Sequence, residues 1–239
     1  PGGHSSMPRA DNAIYDLARA IQRLEAYTFP VETNEITLTY FARTAPLLDN
    51  EVGEAMARLV ADPTDAEAIS TLRAQPQYVG TLGTTCIPTI LSGGHAENAL
   101  PRSVTAVVNC RIFPGHTPAE IMRELQRVTD NPELEWRVVG VPVTSPASSF
   151  NTEVMDAIAA SLGPIHGALP IVPKMGSGTT DGAYWRAAGI PSYSFTGIFI
   201  NPKDSFAHGL NERVPRAAVT ESLRFWRAMI DELASPETD

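Results

Sequence analysis

Five short stretches carry residue types that can do chemistry. PGGHSSMP (1–8) places His4, a ring that acts as acid, base or hydrogen-bond donor near neutral pH, directly after two glycines. SGGHAENALP (92–101) carries Asn98, a turn former or a hydrogen-bond donor into a site. In SVTAVVNCRI (103–112), alternation puts Val104, Ala106, Val108 and Cys110 on one face and Asn109 and Arg111 on the other. A guanidinium so placed could clamp a carboxylate bidentately or make a surface salt bridge. KMGSGTTDG (174–182) is a Gly-rich strand-to-helix turn, where the backbone N–H groups of Gly178 and Thr179 can meet an anion or simply close the turn. His208, in DSFAHGLNERVP (204–215), stands four residues before Glu212, a carboxylate able to orient a metal-bound ring.

Several familiar arrangements are missing. Neither GxxxxGK[ST] nor GxGxxG fits the Gly-rich turn, and Ser177 lacks the flanking glycines of a GxSxG elbow, which excludes nucleotide binding and a serine esterase. There is no HxD, no HExxH and no Glu-Glu pair, so no motif completes a zinc site around His208. Cys86 and Cys110 have neither CxxC spacing nor nearby histidines. They are two buried thiols, or a cross-strand disulfide, since they fall on two strands of one hairpin nearly equidistant from its turn.

The elements that must position these residues follow from periodicity. Ser6-Met7-Pro8 leads into a helix reaching about Ala26, with Ile14, Leu17, Ala18, Ile21 and Leu24 at helical spacing. EITLTYF (35–41) alternates and predicts a strand. Two short helices follow, at 49–62 and 63–74, the second with Asp62 as N-cap and Pro63 at its first position. The 46–76 stretch is a helical insertion. TTCIPTIL (84–91) and 103–112 predict a hairpin, with Pro88 marking an edge or bulge. Thr117-Pro118-Ala119-Glu120 is a capping box opening a further helix, and 134–139 predicts a strand. Helix, strand, strand, helix, strand is a ferredoxin-like βαββαβ unit lacking its first strand, which makes Pro1 look like a truncation point.

VPVTSPASS (141–149) is the best boundary candidate. Beyond it the pattern is α/β: a helix from 152 to 162 stopping at Gly163, a strand at 171–175, a helix through Tyr184 and Trp185 ending at Gly189, and a strand at 192–195. The last helix begins with Pro215 and carries Val219, Leu223, Trp226, Ile230 and Leu233 as its expected buried face. So small a sheet looks like half a domain.

Composition bounds the function. A chain of 239 residues with formal net charge −9 and mixed charges lacks a nucleic-acid footprint. No apolar run approaches the roughly 20 residues needed to span a bilayer. Neither nucleic acid nor membrane is expected as a partner.

GGHSSMP, GGHAENALP followed by VVNCRI, GSGTTDGAYWRAAGIP, and FAHGLNERVP occur in this order from Gly2 to about Val214. In that order they resemble the M20 family of metallopeptidases and amidohydrolases, closest to its carboxypeptidase-like and aminoacylase-like branch. The resemblance implies a ferredoxin-like dimerisation or lid domain over 1–142 and the C-terminal part of an α/β zinc-hydrolase catalytic domain over 143–239. It implies two zinc ions with His208 as a terminal ligand of one. It also implies that His4 and Asn98 reach from one subunit of a homodimer into the site of the other to meet the oxyanion. Arg111 would hold the carboxylate of a dipeptide or N-acyl amino acid, and Gly178 and Thr179 would position the scissile amide. The HxD pair, bridging aspartate and consecutive glutamates of that family are absent, so the chain by itself is expected to be inactive. An autonomous dimerisation or binding module is the alternative.

Overall fold

A computed structural model describes residues 2–204 and 206–234. In chain order the elements are β1 (Gly3–His4), α1 (Ala13–Ala26), α2 (Glu35–Thr44), α3 (Glu51–Ala61), α4 (Ala66–Arg73), α5 (Pro76–Val79), β2 (Thr85–Gly93), β3 (Ala99–Leu100), β4 (Val104–Arg111), α6 (Pro118–Thr129), α7 (Thr152–His166), α8 (Gly182–Ala187) and α9 (Arg216–Ala234). They divide between two compact units: the chain through Ala147 together with Lys174–Ile190, and Ser148–Pro173 together with the chain from Pro191.

The first unit is built on the antiparallel β2–β4 hairpin, which runs from Thr85↔Arg111 at its base to Gly93↔Val104 at its tip. Its register slips between Pro88 and Ile90, where proline has no N–H to give the ladder. Cys86 lies opposite Cys110 and the two are joined as a disulfide. Helices α1 and α6 cover one face, burying Leu24, Ile121 and Leu125 against Cys86, Val108 and Cys110. Helix α6 starts as its sequence dictates: the Thr117 hydroxyl accepts the Glu120 N–H while the Glu120 carboxylate accepts the Thr117 N–H. The helix–hairpin–helix part of a ferredoxin-like plan therefore forms. Its next strand does not, because 134–139 is irregular and Trp136 simply packs onto the α1–α6 cluster. Among the described residues the sheets are two two-stranded ones, β2–β4 and β1–β3.

The expected strand at 35–41 is helix α2. Asn34 accepts the Thr37 N–H and the Thr37 hydroxyl accepts the Asn34 N–H, a reciprocal cap that outweighs the alternation of EITLTYF. Thr37 and Phe41, one turn apart, are the residues α2 buries. Phe41, Met56, Leu59 and Leu72 form a core belonging to the α2–α5 insertion itself. Helix α4 is capped by Asp65 rather than Asp62, since Asp65 Oδ1 accepts the Glu67 and Ala68 N–H groups.

The second unit packs α7 against α9 through Ala157, Ile158, Leu162, Phe225 and Met229. Helix α7 does not stop at Gly163. It carries Pro164 in its last turn and ends at Gly167, whose φ of 75° suits glycine. Ile165 packs on the core and His166 sits 4.4 Å from the Phe199 ring, contacts that hold the extra turn. The predicted strands 171–175 and 192–195 are irregular among the described residues, with Ile171 and Phe195 packed on the same core. Helix α9 is rotated from expectation: Ala218, Ser222, Phe225 and Met229 are buried, while Val219, Leu223, Trp226, Ile230 and Leu233 are exposed. Among the described residues no helix is long and apolar enough to cross a membrane.

Candidate functional site

Apart from Gly178, which adjoins Thr179, the residues picked out by sequence fall into two pairs and one singleton. The first pair is at the hairpin tip. β1 pairs antiparallel with β3, His4 opposite Ala99, and the Ser5 N–H donates to the Asn98 carbonyl at 2.9 Å. This brings His4 beside Asn98 although 94 positions separate them in sequence. The Ser6 backbone N–H donates to His4 Nδ1 at 3.2 Å, with Ser6 Oγ 2.8 Å from the same atom. A backbone N–H can only donate, so in the neutral ring Nδ1 is the acceptor and the proton is on Nε2, which is then a donor. Just beyond β1, Arg9 makes a bidentate pair with Asp11 at 2.8 and 2.7 Å, and that hydrogen bond holds the Asp11 carboxyl down to about 2.

The tip is shaped by glycine. A Cβ on Gly93 would lie 2.8 Å from the Val104 side chain, and Gly94 has φ 81° in open space. Beside them is a pocket of about 300 Å³ lined by Ser92, Gly93, His95, Pro101, Arg102 and Ser103 among others. His95 and Arg102 were not singled out by the sequence. Their signal was position alone, since they flank Asn98 within one loop.

The second pair is at the hairpin base. Arg111 ends β4, and its Nη1 donates to Thr179 Oγ1 at 2.8 Å. The Gly-rich turn is therefore seated against the strand that carries the arginine. Gly178 is exposed, with open space around its α-carbon, so its backbone is accessible. Helix α8 follows with Asp181 at the cap, but the Asp181 side chain makes no capping bond. From Val104 to Arg111, at about 3.3 Å per residue, the strand covers about 23 Å. Tip and base of one chain are too far apart to grip one small substrate.

His208 lies in the second unit with φ 63°, a left-handed conformation, followed by Gly209. Glu212 does not orient its ring. The Glu212 carboxylate accepts the His208 backbone N–H at 3.3 Å instead. Among the described residues no three His, Cys, Asp or Glu side chains gather to hold a metal ion. One histidine is a ligand, not a site, so these residues by themselves do not fit a zinc centre.

The profile of the peptidase dimerisation domain of M20 enzymes matches residues 1–137. The chain belongs to the M20 peptidase family. It is 26% identical over 248 aligned positions to the N-fatty-acyl-amino acid synthase/hydrolase PM20D1 of Xenopus tropicalis, which covers 99% of this chain and 48% of that protein. The human PM20D1 is 24% identical, covering 93% of this chain and 45% of the relative. A succinyl-diaminopimelate desuccinylase of Magnetococcus marinus matches 62% of this chain at 24% identity, over 37% of its own length. The crystal structure of the M20 family metallo-carboxypeptidase Sso-CP2 from Sulfolobus solfataricus superposes with a TM-score of 0.59 at 19% identity, over 96% of this chain and 54% of that one. The M20 chain described here thus spans about half the length of its PM20D1 relatives.

Proposed function

We propose that this chain is the dimerisation and lid domain (about 1–142) and the C-terminal catalytic segment (about 143–239) of a zinc-dependent M20 hydrolase that cleaves the amide bond of dipeptides or N-acyl amino acids. The observation that carries the reading is the alignment of 99% of this chain with an N-fatty-acyl-amino acid synthase/hydrolase. The geometry of the two pairs supports the division of labour. Arg111 holds the substrate carboxylate, Thr179 keeps the guanidinium oriented before substrate arrives, and the Gly178–Thr179 backbone positions the scissile amide. His4 and Asn98, about 23 Å of strand away at the tip, serve the site of the partner subunit in a homodimer. There the Nε2–H and the Asn98 amide donate to the carbonyl oxygen as its charge grows, and donors placed where charge develops lower the barrier most. Zinc, held by His208 together with ligands from outside this chain, would supply the charge that makes water a nucleophile at neutral pH. His208 is this chain's contribution to that centre; the other ligands and the general base belong to the rest of the catalytic domain, which also covers the exposed stripe of α9.

The test is zinc by elemental analysis and turnover of N-acyl amino acids, on this chain and on the longer polypeptide that contains it. The expected result is no zinc and no turnover for the chain alone. The longer polypeptide holds about two zinc ions, as two-metal hydrolases do, and its activity is lost in His208→Ala. Turnover by the isolated chain would overturn the division of labour. A longer polypeptide that is metal-free and inactive yet dimeric would favour a dimerisation module, a reading supported by the dimerisation-domain match over residues 1–137.

A further inference from the structure

The helical insertion α2–α5 makes three contacts with the Gly-rich turn that its sequence does not advertise. Asn34 uses both ends of its amide: Oδ1 caps α2 by accepting the Thr37 N–H at 2.9 Å, and Nδ2 donates to Met175 Sδ at 3.5 Å. The Lys174 ammonium sits 5.7 Å from the centre of the Tyr40 ring, within cation–π range. Gly80, which ends α5, has φ −72°, a conformation open to any residue, yet a Cβ there would lie 2.7 Å from Ser177 Cβ and 2.9 Å from its Oγ. Residues 174, 175 and 177 thus lie on the insertion, while Thr179 is held from the other side by Arg111.

The insertion can act as a rigid wall. It has a core of its own, and its neck is fixed to the rest of the unit. The Glu32 N–H donates to the Leu82 carbonyl at 3.0 Å, Glu32 pairs with His116 at 2.5 Å, and Arg73 donates to the Phe29 carbonyl at 2.6 Å. We propose that α2–α5 is the positioning element for the Gly176–Thr179 turn and, through Thr179, for Arg111, with Asn34 and Gly80 as the positioning residues. The insertion sets the spacing between the carboxylate clamp and the backbone that receives the amide, and so the length of substrate accepted. The catalytic meaning rests on the reading of Arg111 as the carboxylate clamp; the mechanical claim does not.

The test is a double-mutant cycle on the whole chain, using Gly80→Ala, Ser177→Gly and both together. It is read by amide hydrogen exchange over 174–180 and by the rotation rate of the Arg111 guanidinium in its 15N NMR signal. Gly80→Ala is expected to speed exchange over 174–180 about tenfold and to free the guanidinium, with α3 and α4 amides unchanged. In the Ser177→Gly background, where the added methyl meets nothing, the same substitution adds no further loosening. Asn34→Asp, which keeps the helix cap but has no N–H to donate, loosens the turn in the same direction. Exchange and guanidinium rotation unchanged by Gly80→Ala overturn the proposal, as does loosening that persists in the Ser177→Gly background. N-acetylleucine titration of the parent and Arg111→Ala chains tests the clamp separately, so failure of the hydrolase reading is distinguishable from failure of the positioning role.

Discussion

Arg111 is exposed, and a surface arginine ordinarily signifies little; what distinguishes it is a hydrogen bond to a residue 68 positions away. The substitution Arg111→Ala is expected to weaken binding of N-acyl amino acids by about tenfold to a hundredfold, the value of a charge-assisted hydrogen bond, while the corresponding uncharged amides bind as before. Isothermal titration of the longer polypeptide with both ligand series measures this. A second residue-scale prediction concerns pH. Arg127 makes a bidentate pair with Glu124 at 2.8 and 2.6 Å, and Tyr27 adds a hydroxyl hydrogen bond, so the Glu124 carboxyl is lowered to about 2. A carboxylate lowered on folding stabilises fully above its ordinary value near 4.5, and that contribution is lost as pH falls through about 2. Being near the surface, the pair is screened by solvent and its contribution is small. Urea midpoints measured from pH 5 down to 2 should fall less steeply in Glu124→Gln than in the parent.

Among elements, the hairpin and the last helix make opposite demands. The Cys86–Cys110 bond closes a loop with sequence separation 24, and chain-entropy arguments assign such a loop about 3 kcal/mol. Cys86→Ser with Cys110→Ser should lower the unfolding free energy by up to that amount, and reduction of the parent by dithiothreitol should have the same effect. In α9, Phe225 is 1% exposed in the α7–α9 core and Leu223 is 69% exposed. Phe225→Ala should cost about 3 kcal/mol or more through the cavity it leaves, whereas Leu223→Glu should leave the melting temperature of this chain nearly unchanged. In the longer polypeptide, where we propose the stripe is covered, Leu223→Glu should become destabilising; comparative melting of the two chains reads the difference.

For the molecule as a whole, the dimerisation-domain match predicts that the chain is a dimer in solution. Strand β2 presents Ile87, Ile90 and Leu91 to solvent. An exposed apolar edge of this kind either aggregates or is used, and a charge on it blocks pairing. Light scattering should report a dimer for the parent and a monomer for Leu91→Lys, with the helix content of the two unchanged by circular dichroism. In the longer polypeptide the monomer should also lose turnover if, as we propose, His4 and Asn98 serve the site of the partner subunit.

What the sequence determined by itself is local. The α6 capping box, the hairpin with its Pro88 irregularity, and the Cys86–Cys110 opposition all depend on neighbours within one turn or one ladder, so short-range pattern was enough to find them. The motifs carrying His4, Asn98, Arg111, Gly178, Thr179 and His208 were legible for the same reason. Tertiary structure decided what depends on partners distant in sequence. It made 35–44 a helix, because Phe41 is buried among Met56, Leu59 and Leu72, contacts distant in sequence that outweigh a period-2 pattern; the Asn34 cap that assists it was a local signal. It chose which face of α9 to bury, because two apolar stripes lie on that helix and only α7 selects between them. It also paired His4 with Asn98 and Arg111 with Thr179, and set Asn34 and Gly80 against the Gly-rich turn. Chain folding brings such groups together through contacts that no local periodicity encodes, and the candidate site is made of those contacts.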